Sequence, residues 1–345
     1  MTSRTVTLLD VARAAGVSKS TASDALQGSG RVAAATRDRV RTVAAGLGYR
    51  PNGAARRLRR ASTGALGLLL PQTATRLDYY MNLAFGAVAR AQEEGLDVVL
   101  LAPAGGAAGP LAPRVDGLLA IDPEAGDSVV PRLLDAGVPV VTGERYLGPA
   151  AGPSGAVVCD NAASLTALLD HVTERGSRRP GVLAPAGTSA WATALRATAV
   201  SWGRARGVEV ALRTVPFAAT PGEAEAATRA LLADDPAVDA VICAPDGSAP
   251  GVLRAAAALG RTVGGGGLLV ASCVDGPAAR GAEPPVTAVD LRPAAYGRAC
   301  AELLCDILAG RAAPDTVRRH AWALETRAST APGPDRAPGL SAPPI

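Results

Sequence analysis

The chain of 345 residues holds a single lysine, Lys19, and only two histidines, His171 and His320. Neither histidine has serine and acid partners, a metal-ligand cluster or a nucleotide loop around it in sequence, so both read as structural and no enzymatic site is expected. No metal and no cofactor are expected either. The five cysteines (Cys159, Cys243, Cys273, Cys300 and Cys305) are odd in number, scattered and without a CxxC pair. They read as reduced, buried thiols of a cytosolic protein rather than a disulfide framework. No apolar run is long enough to span a bilayer and no charged-then-apolar leader opens the chain, so no membrane partner is expected and the location is expected to be cytoplasmic. The glycine runs at 105–109 and 264–267 are not phosphate loops. Pro110 directly follows the first, and a strand rather than a helix follows the second.

What is present is unevenly spread. Residues 1–64 carry 12 basic against 3 acidic residues, a net of +9, whereas the whole chain is +4; the remainder is therefore about −5. A polyanion-binding head on an acidic body has this asymmetry. Within the basic part, Thr7 and Asp10 open a helix, with the hydroxyl as cap and the carboxylate at the positive dipole end. Leu8, Val11, Ala12 and Ala15 recur at helical spacing, and Gly16 stops the run. Ser18 caps a second helix from about Lys19 to Gln27. A third periodic run sets Val40, Val43, Ala44 and Leu47 on one side and Arg37, Arg39 and Arg41 on the other. Two short helices across a glycine turn match the helix-turn-helix unit. Tyr49-Arg50-Pro51-Asn52 then breaks the pattern, and residues 53–60 form about two turns of possible helix, too short and too densely charged to be stable alone.

The stretch TLLDVARAAGVSKSTASDAL, continued by GRVAAATRDRVRTVAAGLGYRPNGAARRLR, resembles the lactose/galactose repressor family of bacterial transcription regulators. The resemblance implies a homodimer whose second helices enter the major groove of a near-palindromic double-stranded DNA operator. It puts Lys19, Ser20 and Asp24 at base-reading positions and Ser18, Thr21, Ser23, Arg31 and Asn52 at phosphate positions. Where the family often has arginine the chain has Asp24, which either accepts from a cytosine amino group or orients a neighbouring arginine, the second being favoured. Ala33 replaces the usual serine cap of the third helix. Residues 51–64 correspond to the family's hinge helix and linker, with Leu58 as the minor-groove wedge and Arg56 and Arg57 beside it; the other reading is a basic linker whose Leu58 packs on the body.

From residue 65 strands and helices alternate. Strands are expected at 65–70, 98–101, 117–121, 138–141, 156–159, 181–184, 208–213, 240–243, 268–272, 285–291 and 321–325. Helices are expected at 79–94, 128–136, 161–175, 191–206, 222–233, 248–259 and 293–308. Repeated strand-helix-strand order predicts parallel sheets with helices on both faces. The fold class is therefore α/β: a small all-α head plus a two-lobed, doubly wound body like a periplasmic binding protein. Lobe 1 is expected over 65–157 plus 291–310 and lobe 2 over 160–286 plus 317–330, with crossings near 157–160, 286–292 and 310–318. Residues 102–114, rich in proline and glycine, are expected to be a loop, and 331–345 a disordered tail.

In such a body a small-molecule effector, a carbohydrate by resemblance, sits in the cleft at strand carboxyl ends. Candidate contacts are Tyr79, Tyr80, Asp160, Trp191, Arg196, Asp246 and Asp275. Arg196 matches a family arginine that grips effector hydroxyls. The family's Gly-aromatic-Asp-Asp near the last position is here Ser272-Cys273-Val274-Asp275, so one acid and the aromatic have gone. The closing segment ends in the family's Arg-x-Ser-Thr signature (Arg327, Ser329, Thr330), and its tetramerising leucine heptads are absent, which favours a dimer. The expected function is a transcription regulator, a repressor released by its effector. The alternative is a two-lobed solute-binding protein without a DNA role.

Overall fold

The computed structural model describes residues 6–27, 32–49, 62–71, 77–101, 114–149 and 152–332. Arg31, Asn52, Arg56, Arg57 and Leu58, residues 102–113 of the loop expected at 102–114 and residues 333–345 of the tail expected at 331–345 lie outside the described residues. The chain divides into two compact units, Met1–Ser62 and Thr63–Ile345.

In the first unit, α1 (Leu8–Ala15) starts at a reciprocal cap: Asp10 N–H donates to Thr7 Oγ1, and Thr7 N–H donates to Asp10. It ends at Gly16, whose φ of 66° is a left-handed conformation that an L side chain adopts only at a cost. Helix α2 (Lys19–Gln27) and helix α3 (Ala34–Gly46) follow. Ala33 leaves α3 without a side-chain cap. The core is small, built from Val11, Ala12, Ala15, Ala22, Ala25, Val32, Val40 and Ala44.

The second unit holds two parallel sheets. Lobe 1 begins β1 (Ala65–Leu69), α4 (Asp78–Glu93), β2 (Asp97–Leu101), β3 (Gly117–Ile121), α5 (Val129–Leu134), β4 (Val140–Gly143) and β5 (Gly155–Cys159). The chain then builds lobe 2 from α6 (Asn161–Glu174), β6 (Pro180–Pro185), α7 (Ala190–Arg206), β7 (Ala211–Val215), α8 (Pro221–Asp234), β8 (Ala240–Cys243), α9 (Ala249–Ala258), β9 (Leu269–Ser272), α10 (Pro277–Arg280) and β10 (Thr287–Asp290). It returns to lobe 1 for α11 (Pro293–Leu308) and β11 (Thr316–His320), and finishes in lobe 2 with β12 (Ala323–Glu325). The strand orders are β11-β5-β4-β3-β1-β2 and β12-β10-β9-β8-β6-β7, parallel throughout except where β12 runs against β10. Burial on both faces explains why β1, β3, β6 and β8 are unbroken apolar runs.

Two expectations are corrected. The third crossing lies between His320 and Ala323, not near 310–318, because β11 pairs with β5 of lobe 1; residues 317–320 therefore do not belong to lobe 2. Thr316-Val317-Arg318-Arg319-His320 is a polar edge strand of alternating exposure, with no apolar run to betray it. The strand expected at 208–213 forms instead at β7, another edge, in register with β6 from Ala211 opposite Gly181.

One close approach within lobe 1 fixes α4 against α11. A Cβ on Gly86 of α4 would stand 1.9 Å from the Ala294 carbonyl oxygen, and one on Gly297 of α11 would stand 1.9 Å from that of Leu83. Only glycines let these two helices touch backbone to backbone, which anchors α4 and the tyrosines at its N-terminal end.

Candidate functional site

The head presents Ser18, Lys19 and Ser20 on its surface at the start of α2. Ser18 caps the helix: its Oγ accepts from Thr21 N–H at 3.0 Å and shares hydrogen bonds of 2.8 Å with the hydroxyls of Ser20 and Thr21. Asp24 is half-buried on the same helix. Ser23, expected at a phosphate position, is 6% exposed and packs within the head. Arg37 donates to the Val32 carbonyl at 3.0 Å and braces the approach to α3, while Arg39 and Arg41 are exposed.

In the body, a cavity of about 430 Å³, counted with its solvent-open part, lies between the two lobes. Lobe 1 supplies Tyr79 and Tyr80 from the first turn of α4, and Asp122 and Glu144 from the residues that follow β3 and β4. Lobe 2 supplies Trp191, Phe217 and Asp246. Ile121 and Gly143 are register partners on adjacent strands, so the two lobe-1 acids emerge side by side. Both adopt positive φ, 47° at Asp122 and 72° at Glu144. Non-glycine residues rarely adopt this conformation, and it turns both carboxylates off the sheet at its carboxyl edge.

Each acid has a partner. Tyr80 hydroxyl donates to Asp122 Oδ2 at 2.7 Å, and Cys159 N–H donates to Glu144 Oε1 at 2.9 Å. Burial pushes the Asp122 carboxyl up to about 6 against the pull of the Tyr80 hydrogen bond, with Glu124 adding to the rise. Burial, then the neighbouring Asp122, pushes Glu144 up to about 7. The aromatics pack edge to face: Tyr79 on Tyr80 at 5.0 Å between ring centres, and Trp191 on Phe217 at 5.5 Å.

Two sets of hydrogen bonds bridge the lobes, beside the packing of the Tyr80 ring on Phe217 at 6.4 Å between centres. Asp246 Oδ2 accepts the Tyr79 N–H at 3.2 Å, so a lobe-2 carboxylate takes up one of the free N–H groups that start α4, a helix without a side-chain cap of its own. Thr188, in the loop after β6, donates through both its N–H and its hydroxyl to Glu124 in the loop after β3, and its hydroxyl accepts from Gly126 N–H at 3.3 Å.

Of the seven effector positions expected, four (Tyr79, Tyr80, Trp191 and Asp246) meet at this cavity. Three are not on its wall. Asp160 caps α6 through Ala163 N–H at 3.0 Å. Arg196 donates to the carbonyls of Pro185 and Gly187, so its guanidinium holds the β6–α7 loop. Asp275 is gripped by both Arg327 nitrogens at 2.9 and 3.0 Å and by Arg280 at 3.0 Å. The signature residues stitch the last segment to lobe 2: Ser329 donates to the Val270 carbonyl at 2.6 Å, and Thr330 shares hydrogen bonds with Thr287 at 2.6 Å and with His171 at 2.8 Å. Sequence reasoning missed Asp122, Glu144 and Phe217. Asp122 directly follows the strand expected at 117–121, where the strand-end rule applied to lobe 1 finds it; Glu144 follows β4, which ends at Gly143, two residues beyond the strand expected at 138–141.

A helix-turn-helix unit in the same chain as a two-lobed α/β sensor defines the class of ligand-responsive DNA-binding regulators. The profile described as bacterial regulatory proteins, lacI family, matches residues 7–52, and that of a periplasmic binding protein-like domain matches residues 169–330. The HTH-type transcriptional regulator CelR of Thermobifida fusca is 33% identical over 318 residues, covering 89% of this chain and 93% of that protein. A solved CelR–cellobiose complex superposes with a TM-score of 0.67 at 28% identity, over 94% of this chain and 99% of that one. The lac repressor dimer bound to operator and the anti-inducer ONPF has the same fold, with a TM-score of 0.76 at 22% identity over 95% and 100% of the two chains. The chain belongs to the LacI family and is a DNA-binding transcription regulator; nothing in these comparisons supports a solute-binding protein without a DNA role.

Proposed function

We propose that the protein is a homodimeric repressor that holds a near-palindromic operator until a small molecule of carbohydrate type occupies the interlobe cavity. The observation that carries this is the cavity itself: acids and aromatic rings from both lobes converge on one space in a chain that also bears a DNA-reading head. In this account Lys19 and Ser20 read bases, Asp24 reads a base or orients an arginine, and Ser18 and Thr21 meet phosphates. Residues 51–64 serve as hinge, with Leu58 as minor-groove wedge and Arg56 and Arg57 just before it, and Arg31 and Asn52 assist on the backbone. CelR, whose complex is with cellobiose, is the precedent for a sugar in the cleft.

Control then follows from differential binding. Lobe closure uses Asp246 on the α4 N-terminus and Thr188 on Glu124. A ligand that favours one lobe geometry favours one arrangement of the paired heads, and the difference in operator affinity between the two geometries is the allosteric coupling. The test is to footprint the protein upstream of its own gene, then screen sugars for release from the protected site. Failure to protect any site overturns the proposal.

A further inference from the structure

The polar chemistry of the cavity is one-sided. Its described lining includes three carboxylates, Asp122, Glu144 and Asp246, and no arginine or lysine. Among the donors that line it, the Tyr80 hydroxyl is spent on Asp122 at 2.7 Å, and the Tyr79 hydroxyl, the Trp191 indole N–H and the Asn161 amide are all uncharged. Arg196, the guanidinium that resemblance would bring to an effector's hydroxyls, is occupied by two backbone carbonyls outside the cavity.

Neutral donors of this kind serve a hydroxyl as well as an amine, but none of them balances the charge of three carboxylates. A protonated amine only donates. Acceptor-rich walls flanked by the rings of Tyr79, Tyr80, Trp191 and Phe217 suit a cation on both counts, since aromatic faces also attract positive charge. We propose that the effector carries a protonated amine, seated against Asp122 and Glu144, within a carbohydrate-sized ligand. The inference rests on the cavity being the effector site. It also explains the elevated carboxyls: two buried acids side by side without a counter-charge resist ionisation, and the incoming ammonium supplies that charge.

The experiment measures operator release and thermal stabilisation of the full chain with two matched pairs: glucose with glucosamine, and cellobiose with the β-1,4-linked glucosamine dimer. The aminated member of a pair should bind at least about tenfold tighter than its hydroxyl counterpart. Its affinity should rise from pH 6 to 7, as the two acids ionise among Asp246, Glu124, Tyr79, Tyr80, Tyr296, Cys159 and Cys300, the titratable groups that surround them. Asp122→Asn and Glu144→Gln should each remove the preference, while Glu144→Asp, which keeps the charge, should retain part of it. If the neutral member binds equally or better, the amine is overturned and the carbohydrate effector stands. If neither member binds while the operator is still held, both fall and only the DNA-binding function remains.

Discussion

Asp122 and Glu144 carry the clearest residue-scale consequence. Their folded carboxyls titrate at about 6 and about 7, above the ordinary 3.8 and 4.5, so the folded chain binds these protons more tightly than the unfolded one. The stabilisation is complete below about pH 4 and is lost as pH rises through about 6 and 7. Thermal unfolding of the ligand-free chain should therefore show a Tm that declines over that window, and Asp122→Asn or Glu144→Gln should flatten the decline. Arg327 makes the opposite kind of pair. Asp275 is buried and held by two nitrogens of Arg327, so Arg327→Ala leaves a buried charge supported by the exposed Arg280 alone. Loss of such a partner costs about 3–5 kcal/mol, to be read from chemical unfolding.

These two sites also mark what could be read from sequence. Asp275 follows a strand and holds a family position, which made it an expected effector contact; the arginine that claims it lies 52 residues on, a distance that periodicity does not report. The same holds for Arg196, whose loop partners depend on how β6 meets α7. Thr7, Asp10 and Gly16 were legible because a cap and a left-handed stop involve neighbours three to five residues apart.

At the scale of elements, α3 begins at Ala33, which is exposed, extended in backbone (φ −56°, ψ 144°) and without a cap bond. Ala33→Ser restores an acceptor for the first-turn N–H groups and should stabilise the head by about 1 kcal/mol, measurable as a higher midpoint of its unfolding. Buried strands were legible as apolar runs, whereas β11, a polar edge strand with two arginines, was not, and the lobe boundary was misplaced with it. The hinge proposed for residues 51–64 gives a sharper test. Leu58→Ala should weaken specific operator binding and reduce DNA bending while leaving effector binding unchanged; gel mobility of permuted fragments reads the bend, and an unchanged bend removes the wedge.

For the whole molecule, a head of +9 on a body of about −5 makes operator binding a salt-dependent clamp. The log of the affinity should fall by about 0.9 for each phosphate neutralised per tenfold rise in salt. Much of this level was legible, since the charge asymmetry and the alternation of strands and helices are properties of long stretches. The cavity was legible only in part, because its walls come from nine separate loops and element ends that the two sheets bring together.

The account stands or falls on whether the space between the lobes governs the grip of the heads. Fluorescence anisotropy of the footprinted operator, titrated with the full chain at fixed salt with and without a saturating cavity ligand, measures that coupling directly. The account predicts at least about a fivefold fall in operator affinity when the ligand is bound. An affinity that stays the same while calorimetry shows the ligand in place would contradict it.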